Sequence, residues 1–330
     1  MILRNMHFLK NNFNQAWWLP GGHFQTLWPS LSRRKVSISL VRERLHLPDG
    51  DFLDLDWTQV DEQAPIVLIL HGLEGSIESS YAKGMLAALK HSGLRGVFMH
   101  FRGCSGEDNK SVRSYHAGET DDLDYVLQTL KQRKPFTPIA VIGFSLGGNV
   151  LLKYLGETEK DNPVSCAVAI SVPFLLNRFA DKIQKGVSSI YQKHLLSILK
   201  KKIIRKAKDI KLPIDVNQLD RIHNFWDFDN LVTAKLHGFK DAKDYYEKSS
   251  SFYYLSRIKQ KTLIIHARND PFLPLDAIPH QSQLPDNVQI KLHQSGGHMG
   301  FITGNLPWNP KYWLEEQLPS YIHANLLAKS

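Results

Sequence analysis

The strongest constraint on the fold is a set of six apolar-rich runs that alternate with segments of helical pattern. The runs are PIVLILHG (65–72), GVFMHF (96–101), IAVIGF (139–144), VSCAVAISV (164–172), KTLIIHA (261–267) and VQIKLHQ (288–294). Nearly continuous apolar sequence is typical of strands buried on both faces of a parallel sheet. The chain has 330 residues, 42% of them hydrophobic, which is enough to form such a core. The alternation predicts an α/β domain with a mostly parallel central sheet flanked by helices.

Two segments lie outside this alternation. Residues 174–250 have helical patterns and no buried strand, so we interpret them as a helical cap inserted into a core of residues 36–173 and 251–330. Residues 1–35 precede the first predicted strand and contain AWWLPGGHFQTLW, with three of the seven tryptophans. We expect this N-terminal arm to pack back on the domain and bury all three indoles, each covering of order 150–250 Å². A second interpretation places His23 or Gln25 at the rim of a substrate pocket.

The motif GFSLGG joins the third apolar run to the following helical segment. It matches G-x-S-x-G, with Ser145 at the sharp turn between a strand and a helix. Glycines flank the serine because a Cβ atom would clash in so tight a turn. The turn exposes the serine hydroxyl, and the helix N-terminus behind it stabilises negative charge. Ser145 is therefore the predicted nucleophile.

A nucleophilic serine needs a histidine base and an acid that orients the base. With this motif the order along the chain is serine, acid, histidine. Asp270 follows the fifth run and His298 follows the sixth, and active sites of parallel sheets lie at the carboxyl ends of strands. Asp276 is the rival acid, although a helix cap suits it better. The rival histidines, less well placed relative to the strand ends, are His266, His280 and His293.

An acyl-transfer site also needs backbone N–H donors for the oxyanion. Leu146, directly after the nucleophile, is expected to supply one, and Leu73 in HGLEGS is expected to supply the other. Gly72 lets the backbone approach the site closely. We expect His71 to brace this turn and to take no part in catalysis.

Other chemistries find little support in the sequence. The motifs G-x-x-x-x-G-K-[ST], H-E-x-x-H and G-x-G-x-x-G are absent, so we expect neither a cofactor nor a metal. Two cysteines, Cys104 and Cys166, do not indicate a disulfide framework. The N-terminal residues have no apolar run long enough for a signal peptide or a membrane span, so a cytoplasmic location is expected.

The formal net charge of +9 has a local source in the predicted cap. Residues 193–211 hold eight lysines or arginines and one aspartate. Apolar residues form one helical stripe there, with the bases expected on the opposite face. The stripe comprises Leu196, Leu199, Ile203 and Ile210. The basic face is either solvated or makes transient contact with an anionic membrane surface. Nucleic acid is not expected as a partner, because no aromatic stacking residues interleave with the bases.

Several longer motifs together resemble the YheT-like branch of the α/β-hydrolase superfamily, from about Trp17 to about Trp313. They are WWLPGGHFQTLWPSL, HGLEGS, FRGCSGE, SYHAGETDDL, GFSLGGN, FWDFDNLVTAKLHGF, YYEKSS, NDPF and GGHMGF. The resemblance implies a serine esterase acting on short-chain esters or acylglycerols, with the triad at Ser145, Asp270 and His298. Some related hydrolases have H-x-x-x-x-D at the triad histidine. Here Thr303 replaces the aspartate, so acyltransferase activity by that route is not supported.

The sequence therefore favours a carboxylesterase or acylglycerol lipase that forms an acyl-enzyme on short- to medium-chain esters. Its substrate would be a small-molecule ester or a lipid. A peptidase or amidase of the same fold is the alternative, because a triad does not by itself distinguish amides from esters. A non-catalytic lipid-binding protein is a third hypothesis, against which the ordered triad argues.

Overall fold

The computed structural model describes residues 12–33 and 35–327, and its centre is an eight-stranded sheet with the order β1-β2-β4-β3-β5-β6-β7-β8. The strands are β1 (Leu40–His46), β2 (Phe52–Thr58), β3 (Ile66–Leu70), β4 (Arg95–Met99), β5 (Ile139–Phe144), β6 (Val164–Ile170), β7 (Lys261–Ala267) and β8 (Val288–His293). Strand β2 pairs antiparallel with β1 and with β4, and all other pairs are parallel. The mostly parallel α/β sheet predicted from the apolar runs is confirmed.

Helices cover both faces of this sheet. The longer helices are α1 (Gly22–Ser32), α2 (Ala82–His91), α3 (Asp121–Arg133), α4 (Leu146–Thr158), α5 (Leu176–Ile183), α6 (Ser188–Lys206), α9 (Ala242–Ser249) and α10 (Trp313–Leu327), with single turns at α7 (Phe225–Phe228) and α8 (Ala234–His237). Helices α2 and α10 share one apolar cluster with the sheet, and α3 and α4 share the other. Every residue of β3 and β5 is buried, because these strands lie between two helical layers.

Between β6 and β7 the chain forms helices and no strand. Helices α5 to α9 lie here, joined by a π-helical turn at Asp229–Thr233, and 3₁₀ turns occur at Val216–Arg221 and Ser251–Arg257. Leu196, Leu199 and Ile203 of α6 are buried, as the apolar stripe predicts. Ile210 lies beyond the end of α6 and is partly buried.

The prediction that the bases of α6 all lie opposite its apolar stripe is wrong for Lys202 and Lys206. Both are buried, since polar partners from the core domain meet them there. Lys206 Nζ donates to Asn109 Oδ1, to the carbonyls of Val112 and Arg113, and to Ser114 Oγ. The solvated basic face of α6 is therefore smaller than the sequence suggests.

The described part of the N-terminal arm contains a helix that the sequence pattern does not reveal, namely α1. The expectation that all three indoles are buried is wrong: Trp17 is 76% exposed, and Trp18 and Trp28 are partly buried. Trp18 and Trp28 make an edge-to-face contact with ring centroids 5.0 Å apart, next to Ile302 of a two-stranded sheet (Ile302–Thr303 with Lys311–Tyr312). Residues 1–11 and 34 of the predicted arm lie outside the described residues.

Within residues 12–33 and 35–327, no helix combines the length and the apolar composition needed to cross a bilayer.

Candidate active site

The turn that carries Ser145 connects β5 directly to α4. Ser145 has φ 49° and ψ −115°, a strained conformation that turns its hydroxyl away from the backbone. A Cβ atom on Gly143 would lie 2.5 Å from the Gly147 carbonyl oxygen, and one on Gly147 would lie 2.6 Å from the carbonyl oxygens of Leu70 and His71. Glycine is thus required on both sides of the serine.

Ser145, His298 and Asp270 form a continuous hydrogen-bonded chain. Ser145 Oγ lies 2.9 Å from His298 Nε2, and His298 Nδ1 lies 2.8 Å from Asp270 Oδ2. All three residues are buried, and the second oxygen of Asp270 accepts from the Phe272 amide at 2.8 Å. Because a carboxylate only accepts, Nδ1 carries the proton and Nε2 is free to accept the serine proton. The Phe272 ring stacks on the imidazole at 4.2 Å, which limits its rotation.

The rival residues lie in other environments. Asp276 is in the first turn of the 3₁₀ helix Leu275–Ala277, is exposed, and pairs with Arg178. His280 is exposed, and His266 is fully buried beside the Ala267 backbone. His293 packs among aromatic rings, and burial lowers its pKa. Among the described residues, Ser145 is hydrogen-bonded by one imidazole, that of His298.

The two expected oxyanion donors are next to the nucleophile. Leu146 is the first residue of α4, and Leu73 lies in the loop after β3; both line the cavity that contains Ser145. Within the described chain, neither of these amides has a protein acceptor, whereas the amides of Gly72 and Glu74 donate to the hydroxyls of Tyr81 and Tyr115. A Cβ atom on Gly72 would lie 3.3 Å from Ser145 Cβ, so this close approach suits glycine. The arrangement leaves two free N–H groups beside the serine.

His71 braces the loop after β3, as expected. Its Nε2 accepts from the Phe101 amide at 3.1 Å, and its Nδ1 lies 2.6 Å from the Gly72 carbonyl oxygen. Burial lowers the pKa of His71 to about 3, so the ring stays neutral and Nδ1 donates. The histidine therefore ties the segment after β4 to the loop that holds Leu73.

A buried ion pair, which the sequence pattern does not reveal, connects the same loop to helix α6. Lys202 Nζ of α6 donates to Glu74 Oε1 at 3.0 Å, and the Tyr115 hydroxyl donates to the same oxygen at 2.7 Å. Burial favours the neutral amine, but the Cys104 sulfur and the Glu74 carboxylate outweigh it and raise the pKa of Lys202. Glu74 has φ 51°, so these contacts hold a strained residue directly after Leu73.

We expect Lys202→Gln to lower kcat by about 10- to 100-fold, because loss of the ion pair frees the loop that aims the Leu73 amide. Lys201→Gln is the matched control, since Lys201 is the exposed neighbour on the same helix. Steady-state kinetics on a soluble ester, with thermal unfolding of each variant, measure this. A higher KM with unchanged kcat would instead make Lys202 a substrate contact.

The N-terminal arm reaches both loops that carry the histidine and the acid. Thr26 Oγ1 accepts from the His298 amide at 2.9 Å. Gly22 lies so close to Asn269 that a Cβ atom would overlap its carbonyl oxygen at 1.8 Å. Asn269 Oδ1 in turn accepts from the Gly297 amide at 3.0 Å. Helix α1 therefore contacts the loops of both Asp270 and His298, which the sequence pattern does not reveal.

The structure places the two predicted rim residues elsewhere. Gln25 is fully buried, and its amide group donates to the Ile302 carbonyl and accepts from the Ile302 amide. His23 stacks on Tyr191 of α6, with Nδ1 3.1 Å from the Tyr191 hydroxyl. Neither side chain lines the cavity at Ser145. Both hold the arm to its neighbours.

A cavity of about 110 Å³ opens beside Ser145 and is lined in part by residues of α5 to α9. Its wall is mainly apolar and combines core residues with residues of α5 to α9. The apolar lining includes Leu73, Leu146, Pro173, Leu176, Phe179, Leu199, Ile203, Phe225, Phe228, Val232 and Leu236. Such a wall suits a hydrocarbon chain.

One group of described residues brings three potential metal ligands within 4.8 Å of one another: His116, Glu119 and His237. Arg113 already pairs with Glu119, and His116 Nδ1 accepts from the Gly118 amide at 3.1 Å. The neutral His116 ring therefore keeps its proton on Nε2, the nitrogen that faces Glu119. Burial lowers the pKa of His237 to about 4 and that of His116 well below its ordinary value. Glu119 and His116 already have hydrogen-bonding or ion-pair partners within the described chain.

The sheet order, the strained serine turn and the helical segment between β6 and β7 define the α/β-hydrolase class. A family model described as "alpha/beta hydrolase fold" matches residues 65–305. The chain is 44% identical to "Putative esterase YheT" of Escherichia coli (strain K12), over 93% of this chain and 92% of that protein. It is 27% identical to the human phospholipase ABHD3, over 89% of this chain and 75% of that protein.

Among solved structures, the esterase Est1E of Butyrivibrio proteoclasticus, with ferulic acid bound, superposes with a TM-score of 0.54. The two are 13% identical, and the match covers 87% of this chain and all of Est1E. At that identity the likeness shows the fold alone. Together with the family match, these findings show that the chain belongs to the α/β-hydrolase family, in the branch that includes YheT.

Proposed function

We propose that this chain is a serine hydrolase of carboxylic esters that works through an acyl-enzyme at Ser145. The observation that carries the proposal is the chain of hydrogen bonds from Asp270 through His298 to Ser145 Oγ, which ends at the mouth of an apolar cavity. A nucleophile, its base and the orienting acid are the groups that acyl transfer needs. The names of YheT and ABHD3 are those of an esterase and a phospholipase, which supports the same class of reaction.

The geometry of the site supports the following reaction. Ser145 Oγ attacks the ester carbonyl carbon while His298 Nε2 takes the hydroxyl proton. The carbonyl oxygen becomes an oxyanion, which the amides of Leu73 and Leu146 stabilise. Collapse breaks the bond to the alcohol oxygen, and His298 returns the proton to that leaving group. Water then attacks the acyl-enzyme with His298 again as the base, and the carboxylic acid leaves.

The apolar cavity is suited to the acyl part of the substrate. This would be a short- to medium-chain acyl group or one acyl chain of an acylglycerol. Each methylene buried in an apolar wall contributes roughly 0.8 kcal/mol. Activity on an ester and on the amide of the same acid, such as a nitrophenyl ester and the matching nitroanilide, tests the proposal. We expect turnover of the ester only; preferential turnover of the anilide would favour a peptidase or amidase.

A cap variant tests whether the cavity selects the acyl chain. Leu199→Ser with Ile203→Ser should lower kcat/KM for an octanoate ester about tenfold or more, and for an acetate ester by no more than about twofold, because only the longer chain reaches these side chains. Ile204→Ser is the matched control, since Ile204 lies on the same helix and is 45% exposed. A chain-length series of nitrophenyl esters measures the effect. Equal losses at every chain length would mean that α6 supports the fold without selecting the acyl group.

A further inference from the structure

Helix α1 exposes several apolar side chains and buries the polar side chain of Gln25, unlike an ordinary surface helix. Phe24, Leu27 and Leu31 are 61%, 39% and 79% exposed, and their spacing of three and four residues places them on one face. The buried residues of the helix are Gln25 and Pro29. A stripe of this kind remains in contact with water unless something outside the described chain covers it.

The exposed apolar residues of the molecule are concentrated around this helix. Among the described residues, thirteen large apolar side chains are exposed, and eight of them lie in the arm or on segments that contact it. The eight, which we call the arm–cap surface, are Trp17, Phe24, Leu27, Leu31, Val187, Ile190, Leu306 and Trp308. Trp17 Nε1 donates to the Asn305 carbonyl, and His23 stacks on Tyr191, next to Ile190. Exposed apolar residues grouped in this way mark an interaction surface, whereas single scattered ones do not.

The charges around the arm–cap surface are almost all of one sign. The sequence has no aspartate or glutamate in residues 12–42 or in residues 182–208, and the second range contains nine lysines and arginines. Lys202 and Lys206 point inward, Arg205 pairs with Asp108, and Arg33 pairs with Glu315. Lys185 and Lys193 remain exposed beside Val187 and Ile190. Apolar side chains next to exposed lysines, in two stretches of sequence that contain no acids, complement an anionic lipid surface.

We propose that the arm–cap surface binds the surface of an anionic phospholipid bilayer, with its aromatic and aliphatic side chains entering the headgroup region. From the sequence, the basic face of α6 is either solvated or in transient contact with a membrane; the proposed contact lies instead on α1 and the start of α6. Because Thr26 and Gly22 of α1 contact the loops of His298 and Asp270, docking brings the catalytic edge of the sheet to the lipid. The proposal stands on the exposed surface and does not require the ester hydrolase activity.

Binding of the full chain to vesicles tests this, with vesicles of phosphatidylcholine alone and of equal parts phosphatidylcholine and phosphatidylglycerol. The wild-type protein should co-sediment with the anionic vesicles, more weakly at high salt because screening reduces the attraction of the lysines. Phe24→Ser with Leu31→Ser should lower the apparent affinity about tenfold or more, since two large apolar side chains no longer enter the interface. Lys185→Gln with Lys193→Gln should lower it only at low salt.

Phe136→Ser is the matched control. Phe136 is 98% exposed, but it lies between α3 and β5, at the opposite edge of the sheet from Ser145. The Phe136→Ser variant should bind vesicles as the wild type does. All variants should keep wild-type unfolding temperatures and wild-type turnover of a soluble ester. If soluble esters are not turned over by any of them, the proposed function fails while the vesicle result still decides the docking.

Three results would overturn the proposal. The wild type could bind anionic vesicles no better than neutral ones, or the Phe24 and Leu31 double variant could bind as well as the wild type. The wild type could also be a dimer that the double variant converts to a monomer, measured by light scattering. In that case a second copy of the chain covers the surface.

Discussion

Replacing Ser145 by alanine should abolish ester hydrolysis and leave the fold intact. The side chain lies at a turn, and alanine needs no more room there than serine does. Alanine has a Cβ atom as serine has, so the substitution adds no steric clash to the backbone at φ 49°. We expect kcat to fall on the order of 10⁶-fold, the loss typical of removing the nucleophile from such a triad. Initial rates on a nitrophenyl ester, together with thermal unfolding, measure both halves of the prediction.

Ser114→Ala is the matched control for this variant. Ser114 also lines the cavity, but its hydroxyl accepts from Lys206 and not from His298. Its loss removes a hydroxyl from the same cavity without touching the hydrogen-bonded chain, so activity should stay within about threefold of the wild type. Residual turnover well above background in pure Ser145→Ala protein would assign the nucleophile to another residue.

Asp270→Asn should retain the fold and lower kcat on the order of 10⁴-fold. The Asp270 carboxylate accepts from His298 Nδ1 on one oxygen and from the Phe272 amide on the other. An asparagine would keep its oxygen toward the Phe272 amide and present its NH₂ group to Nδ1. The imidazole proton would then move to Nε2, so this nitrogen could no longer accept the serine proton.

The variant Asp276→Asn tests whether Asp276, and not Asp270, is the acid that orients His298. Asp276 is exposed and pairs with Arg178, so its loss should change kcat by no more than about twofold. Rates for the two variants under the same conditions make the comparison. A larger loss in Asp276→Asn than in Asp270→Asn would show that the wrong acid has been assigned.

The sheet could be predicted from the sequence because its central strands are buried on both faces. β3, β5 and β6 are almost wholly apolar for that reason, and strands of this kind have a distinctive composition. The three triad candidates could be chosen because the carboxyl ends of parallel strands meet at one edge. That choice needed the G-x-S-x-G motif, the predicted strand ends and the order of residues along the chain.

Helix α1 and the inward lysines could not be predicted in the same way. Periodicity indicates a helix by assuming that its apolar side faces the core, and in α1 the buried positions are Gln25 and Pro29. The inward orientation of Lys202 depends on Glu74, a partner 128 residues away in sequence. Helical spacing gives the apolar stripe of α6, but it does not indicate which lysine at its border meets a buried carboxylate.

Reaction of the purified protein with a fluorophosphonate, followed by mass spectrometry of its peptides, tests the central claim most directly. Such a probe phosphonylates a serine only where a neighbouring base activates it. We expect one adduct per chain, on the peptide that contains Ser145, none in Ser145→Ala, and slow labelling in Asp270→Asn. An unlabelled wild-type protein that is fully folded, or an adduct on any residue other than Ser145, would contradict the account.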